Sequence, residues 1–380
     1  MVVAPGTYTE NIALSPLDNG LVVEGGWSPS WIADCNTSLA RIVGVTANED
    51  ATLAIAGASN ITVRLLTIES RAQGNAGETV YAARVENPVG AITFDNVVLI
   101  AQNGGDGLPG APASPTGNGC ATGSGANGDA GAPGPLGAFA VSGYQPASGG
   151  GGSVGQPGLA GGSGGPGQTG GSCVVCSMVI GVVDAGDPDA EPDEAGPTCV
   201  SATPLVPPNG GAGTPGCGGQ PGSGGTGGRG AGGSIALYAI GTDASVVTLR
   251  GGALVTNSGG TGGPGGSGGL GAAGEAGASG STAQCATTCW PAPANAACQQ
   301  NVCNQTCVTL TGGSAGSAGG KGGKGGTGGG GFGGPTYLIV NGNQIVNVAT
   351  SPAPELTLGS GGAGGAPNGI KGEAAETHTP

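Results

Sequence analysis

Apolar residues recur along this chain at a fixed step that is not helical. Ile61, Val63, Leu66 and Ile68 stand two, three and two residues apart. Ile92, Phe94, Val97 and Leu99 repeat those steps, and so do Val247, Leu249, Gly252 and Leu254, with glycine in one apolar place. Val346, Val348, Leu356 and Leu358 form a looser copy, interrupted by a proline-containing stretch. A step of two is the period of a half-buried strand, and the extra residue in the middle of each set reads as a short turn joining two strands. A further strand precedes each set, at 52–56, 81–85, 235–239 and 337–340. Each unit is therefore strand, turn, strand, short turn, strand. Units that repeat in this way predict stacked coils with alternate side chains filling the interior.

A second pattern enters after the last strand of each unit. Gly259, Gly262, Gly265, Gly268, Gly271, Gly274, Gly277 and Gly280 keep a step of three, as do Gly313, Gly316, Gly319, Gly322, Gly325, Gly328, Gly331 and Gly334. Shorter runs occupy 104–110, 125–137, 155–170 and 210–228. A period of three belongs to a polyproline-II-type helix, which has no internal hydrogen bonds and must satisfy its backbone from neighbours or water. Equivalent corners of stacked coils lie above one another, so the insertions should leave from one edge, with each outgoing run matched by a returning one.

The opening stretch carries Pro5, Gly6, Thr7, Tyr8, Glu10, Ile12 and Leu14, then Leu21, Val23, Gly25 and Gly26. It resembles the right-handed parallel β-helix family that includes pectate lyases and many bacterial surface proteins. The Gly-Gly-X register, as in "GGTGGPGGSGGL", resembles the polyglycine-II bundles of phage tail-fibre adhesins and of a glycine-rich antifreeze protein. Collagen is the weaker comparison, because it needs proline-rich X and Y positions and three parallel chains. A solvated flexible linker is the bland alternative. The strict register and the pairing of runs argue against it.

The expected fold is all-β: a right-handed parallel β-helix with an inserted polyglycine-II helix bundle and essentially no α-helix. The coils are assigned to 1–101, 234–257 and 335–358. A first glycine-rich insertion covers 102–233 with a tip at 171–208. A second covers 258–334 with a tip at 281–310, and a glycine-rich tail covers 359–380.

Composition narrows the partners. The chain has 380 residues, of which 90 are glycine and 28 proline, and its formal charge is −14. Nine basic residues against that charge argue against nucleic acid. There is no run of apolar residues long enough for membrane insertion. The chain begins as if in the middle of a strand-rich unit, which predicts an exported protein without its true N-terminus.

Eleven cysteines point to an oxidising compartment, and the odd number leaves one thiol free or paired between chains. Cys173, Cys176 and Cys199 fall in the first tip, and Cys285, Cys289, Cys298, Cys303 and Cys307 in the second. Cys120 and Cys217 lie on or near glycine runs and could cross-link passes; Cys35 stands apart. Disulfides suit this irregular spacing better than zinc, so no metal is assigned. Asp184, Asp187 and Asp189 are weak calcium candidates in an acidic, proline-broken tip that reads more simply as solvated surface. Trp290, in the second tip, is the candidate contact aromatic.

The carboxylates do not cluster with a basic partner at a repeated position, and no cofactor motif occurs. The chain is therefore read as non-enzymatic, with no catalytic residue and no cofactor. The function expected is that of a secreted or cell-surface structural protein: an adhesin, or a subunit of a surface filament, presenting disulfide-pinned tips. Its partners would be further copies of itself, or a cell-surface glycan or protein. Ice- or crystal-surface binding is the alternative, for which Thr226, Thr261 and Thr327 are sparse. A β-helix polysaccharide lyase or hydrolase is the remote one.

Overall fold

The structure is a computed structural model that describes residues 1–33, 36, 40–45, 51–114, 117, 119–156, 158–160, 173–178, 199–205, 211–242, 245–282 and 314–380. It is almost entirely β, with three parallel sheets. Among the described residues the single helical element is a 3-10 turn at Pro16–Asp18, closed by a capping box between Ser15 and Asp18.

The chain visits the three sheets in rotation. The first round is β1 (Gly6–Thr9), β2 (Ile12–Leu14) and β3 (Val22–Glu24), and the second is β4 (Ala40–Val43), β5 (Ala51–Ala56) and β6 (Ile61–Arg64). The third is β7 (Thr67–Glu69), β8 (Val80–Glu86) and β9 (Ala91–Asp95). The fourth begins with β10 (Val98–Ala101) and then leaves the sheets through short antiparallel pieces: β11 (Cys120–Ala121), β12 (Ala138–Ala140), β13 (Gly143–Gln145), β14 (Cys173–Met178), β15 (Cys199–Leu205) and β16 (Gly218–Gly219). It resumes at β17 (Ser234–Ile240) and β18 (Val246–Arg250). The last rounds are β19 (Ala253–Thr256), β20 (Thr336–Gly342) and β21 (Val346–Val348), then β22 (Glu355–Thr357) and β23 (Ala374–His378).

The sheet orders follow directly: β1-β4-β7-β10-β19-β22, β2-β5-β8-β17-β20-β23, and β3-β6-β9-β18-β21. Every long glycine-rich segment departs between a strand of the first sheet and a strand of the second. The tail from 359 also returns, and β23 pairs in parallel with β20.

Register turns the apolar steps into ladders. Val23, Val63, Phe94, Leu249 and Val348 stand in line across the third sheet. Ile42, Ile68, Leu99, Leu254 and Leu356 do the same across the first. The middle members are buried, whereas Val348 and Leu356, on the last strands, are each 44% exposed. Each fully buried aliphatic side chain is worth about 1.5–3 kcal/mol, so these ladders carry most of the stability of the base. The extra residue in each two-three-two set adopts a left-handed backbone: Leu65 (φ 55°), Asn96 (φ 51°) and Gly251 (φ 59°). Each turn hydrogen-bonds the next, from Leu65 N–H to the Asp95 carbonyl and from Asn96 N–H to the Arg250 carbonyl. Leucine rarely adopts that conformation, so the stacked partner supports it.

A second apolar layer covers the outside of the second sheet. Tyr81 and Tyr337 flank Ile235 in register, and Tyr238 lies three residues further along the same strand as Ile235. The hairpin β12–β13 packs over them through Phe139 and Tyr144. Tyr144 N–H donates to Tyr81 Oη at 2.7 Å, and Tyr238 Oη donates to the Ala140 carbonyl. His378, on β23, stacks on Tyr337 with ring centroids 4.7 Å apart and lies 4.4 Å from Phe139.

Candidate functional site

The glycine-rich segments run back and forth beside one another. We number them run I (104–114), run II (123–137), run III (149–160), run IV (211–233), run V (259–282) and run VI (314–334). Runs I and V keep a parallel register, with Gly104, Gly107 and Gly110 donating to the carbonyls of Ser258, Thr261 and Pro264. Runs V and VI are antiparallel: Gly322, Gly325, Gly328, Gly331 and Gly334 donate to Ala272, Gly269, Gly266, Gly263 and Gly260 at 2.8–2.9 Å. These bonds run between segments, step by three residues, and satisfy the backbone groups that a three-residue period leaves open.

Run VI shows how sequence sets the packing. Cβ atoms at Gly322, Gly325, Gly328, Gly331 and Gly334 would overlap carbonyl oxygens of run IV, at Gln220, Ser223, Thr226, Arg229 and Gly232. Those at Gly323, Gly326 and Gly329 would overlap carbonyls of run II, at Ala126, Asp129 and Ala132. Phe332 continues that row, buried, as run II reaches its end. The third row reads Lys321, Lys324, Thr327, Gly330, Gly333. Both lysines are exposed, but Gly330 and Gly333 lie under the tail, where a Cβ would overlap the carbonyls of Gly365 and Gly362. Gly-Gly-X thus marks two covered sides and one open side, and the X becomes glycine where the third side is covered too. Outside Gly125, these run glycines are not held at left-handed φ, so close approach explains them and unusual backbone conformation does not.

Run IV presents its X side chains towards run I. Gln220 Nε2 donates to the Cys120 carbonyl at 3.3 Å, Ser223 Oγ to the Ser114 carbonyl at 3.1 Å, and Thr226 Oγ1 accepts from Ala111 N–H at 2.6 Å. In the same row Cys217 forms a disulfide with Cys120, with Cα atoms 5.2 Å apart across a sequence separation of 97. Cys120 Sγ lies 3.7 Å from Glu275 Oε2 on run V. These three residues are the one group of potential metal ligands among the described residues. A cystine has no thiolate to offer, so the cluster does not fit a metal.

Four glutamates of the base are held by arginines. Arg64 pairs with Glu24 at 2.8 Å and Arg84 with Glu86 at 2.7 Å; Arg41 pairs with Glu69 and Arg71 with Glu78. Glu69 also starts a polar row at the corner where the insertions leave. Gln102 Nε2 donates to Glu69 Oε1 at 2.7 Å, and Asn257 Nδ2 donates to Gln102 Oε1 at 2.6 Å. Burial raises the Tyr144 phenol and pushes Tyr238 up to about 12. Tyr337 is raised by burial and by its hydrogen bond to Glu373, while burial lowers His378.

Several predicted positions lie outside the described residues: Cys35, Asp184, Asp187, Asp189, Cys285, Cys289, Trp290, Cys298, Cys303 and Cys307. Cys173 and Cys176 fall on β14 and Cys199 on β15, which pair antiparallel. Thr226, Thr261 and Thr327 sit on runs IV, V and VI, and Thr226 is bound to run I. Sequence reasoning missed the aromatic layer, although Tyr81 and Tyr337 open two of the predicted strands at equivalent places. No protein-family model, curated protein or solved structure matches this chain.

Proposed function

We propose that this is a secreted or cell-surface structural protein in which a parallel β-helix anchors a polyglycine-II bundle, and the bundle displays the segments 171–208 and 281–310. The observation that carries the reading is run VI. It is hydrogen-bonded to runs II, III, IV and V and to the tail, with glycine at the covered positions apart from the buried Phe332. A segment fixed on so many sides is a rigid spacer, and rigid scaffolds commonly carry their contacts on the loops they hold out. The disulfide between run IV and the continuation of run I supports an oxidising location.

The test is to replace both displayed segments with short Gly-Ser loops and measure attachment to cells or immobilised glycans. Loss of attachment with an unchanged far-ultraviolet spectrum is expected; undiminished attachment would overturn the display role. Electron microscopy of the native particle checks the filament form of the reading, in which copies stack through the end strands.

A further inference from the structure

The row of X side chains on run IV has one member that does not tie runs together. Cys217, Gln220, Ser223 and Thr226 each reach run I or its continuation. Arg229, next in the same three-residue step, is exposed, and its guanidinium has neither ion pair nor hydrogen bond among the described residues. The arginines at 41, 64, 71 and 84 are paired with glutamates, whereas Arg250, exposed on β18, is like Arg229 without an ion pair among the described residues. Arg229 differs from Arg250 in lining a cavity.

Arg229 lines an open cavity of about 290 Å³ at the foot of the groove between runs I and III. Leu108 and Pro146 supply apolar walls, Ser148 a hydroxyl, and Ala76, Gly77 and Gly230 backbone. The Ser148 hydroxyl also has no partner among the described residues. The volume falls just below the roughly 300–1,000 Å³ of pockets that take drug-sized ligands, which suits one ring.

The geometry points to a binding site for a carboxylate-bearing sugar, with the uronate carboxylate on Arg229, a hydroxyl on Ser148 and the C–H face of the ring against Leu108 and Pro146. A guanidinium fork matches a carboxylate in bidentate geometry. A single cation in a strongly acidic protein favours a monoanion over a phosphate or sulfate dianion. The site lies on the side of the bundle, so it stands whether or not the displayed segments bind anything.

The experiment is a titration of the isotope-labelled protein with glucuronate, glucose and acetate, followed by amide chemical shifts. Saturable shifts at Ala76, Gly77, Arg229 and Gly230 with glucuronate are expected. Arg229→Gln should weaken binding by about tenfold or more, as expected for loss of a charge-assisted pair, and should leave the spectrum elsewhere unchanged. Ser148→Ala should weaken it less. Equal binding by Arg229→Gln, or no saturable shift in the native protein, would overturn the site. Equal affinity for glucose or for acetate would overturn the assignment of a uronate.

Discussion

Gly330 lies so close beneath Gly365 that a Cβ on Gly330 would fall on the Gly365 carbonyl oxygen. The relationship joins run VI to the tail and makes the tail's seat a property of one position. Gly330→Ala should cost about 1–3 kcal/mol through overpacking. The loss should concentrate on the tail, whose Gly362 and Gly365 amides donate to Gly334 and Gly331. Hydrogen exchange checks this: both amides should lose protection before those of run V. Unchanged protection would show that the tail is held elsewhere.

Interior and open positions of the bundle should respond very differently to the same methyl group. Gly325 is enclosed, with its N–H on Gly269 and its missing Cβ against the Ser223 carbonyl. Ser267 is an exposed X position whose backbone carbonyl accepts from Ala113. Gly325→Ala should lower the unfolding free energy by about 1–3 kcal/mol, and Ser267→Ala should stay within about 0.5 kcal/mol of the parent. Denaturant melts of the two variants decide it, and equal midpoints would deny that glycine is required by contact.

The strands were legible because a step of two has one physical meaning, and Ile61, Ile92 and Val247 fall in register where their steps align them. The period of three was legible too, as a demand for close neighbours. Which neighbour lies on which side was not. Gly110 meets Pro264, and Thr226 meets Ala111, through registers fixed by the base far away in sequence. The change from Lys324 and Thr327 to Gly330 gained its meaning only from the tail lying over that side. The Cys120–Cys217 pairing became apparent only once runs I and IV were adjacent, since spacing alone does not fix connectivity. The aromatic layer escaped notice because its lid, Phe139 and Tyr144, lies inside the glycine-rich insertion and carries no strand signal of its own length.

The disulfide closes a long loop through the bundle. In the chain-entropy account a loop of this length is worth about 4–5 kcal/mol, and removal of a native disulfide typically costs about 2–5 kcal/mol. Replacing both Cys120 and Cys217 by serine should therefore lower stability on that scale. The far ends of runs I and IV should loosen, while the Tyr81 and Tyr238 layer stays intact. Proteolysis near Gly119 and Gly218 in the variant, read by mass spectrometry, is the check. Resistance equal to the parent's would remove the clip from the account.

Tyr238 gives the base an alkaline limit. Burial raises its phenol to about 12, against about 10 in an unfolded chain. Between those values the native state keeps a proton that the unfolded state has lost, so stability falls as pH rises. The contribution is complete below about pH 10 and is lost progressively towards about pH 12. Tyr144 and Tyr337 are raised as well and act in the same direction. Urea melts across pH 8–12 should show this decline, and phenolate absorbance should rise late for the three buried rings. Tyr238→Phe lowers stability at pH 8 by removing the bond to the Ala140 carbonyl, but flattens the alkaline limb, since the phenol that would ionise is gone. An alkaline limb of the same slope in both proteins would show that the Tyr238 proton does not set it.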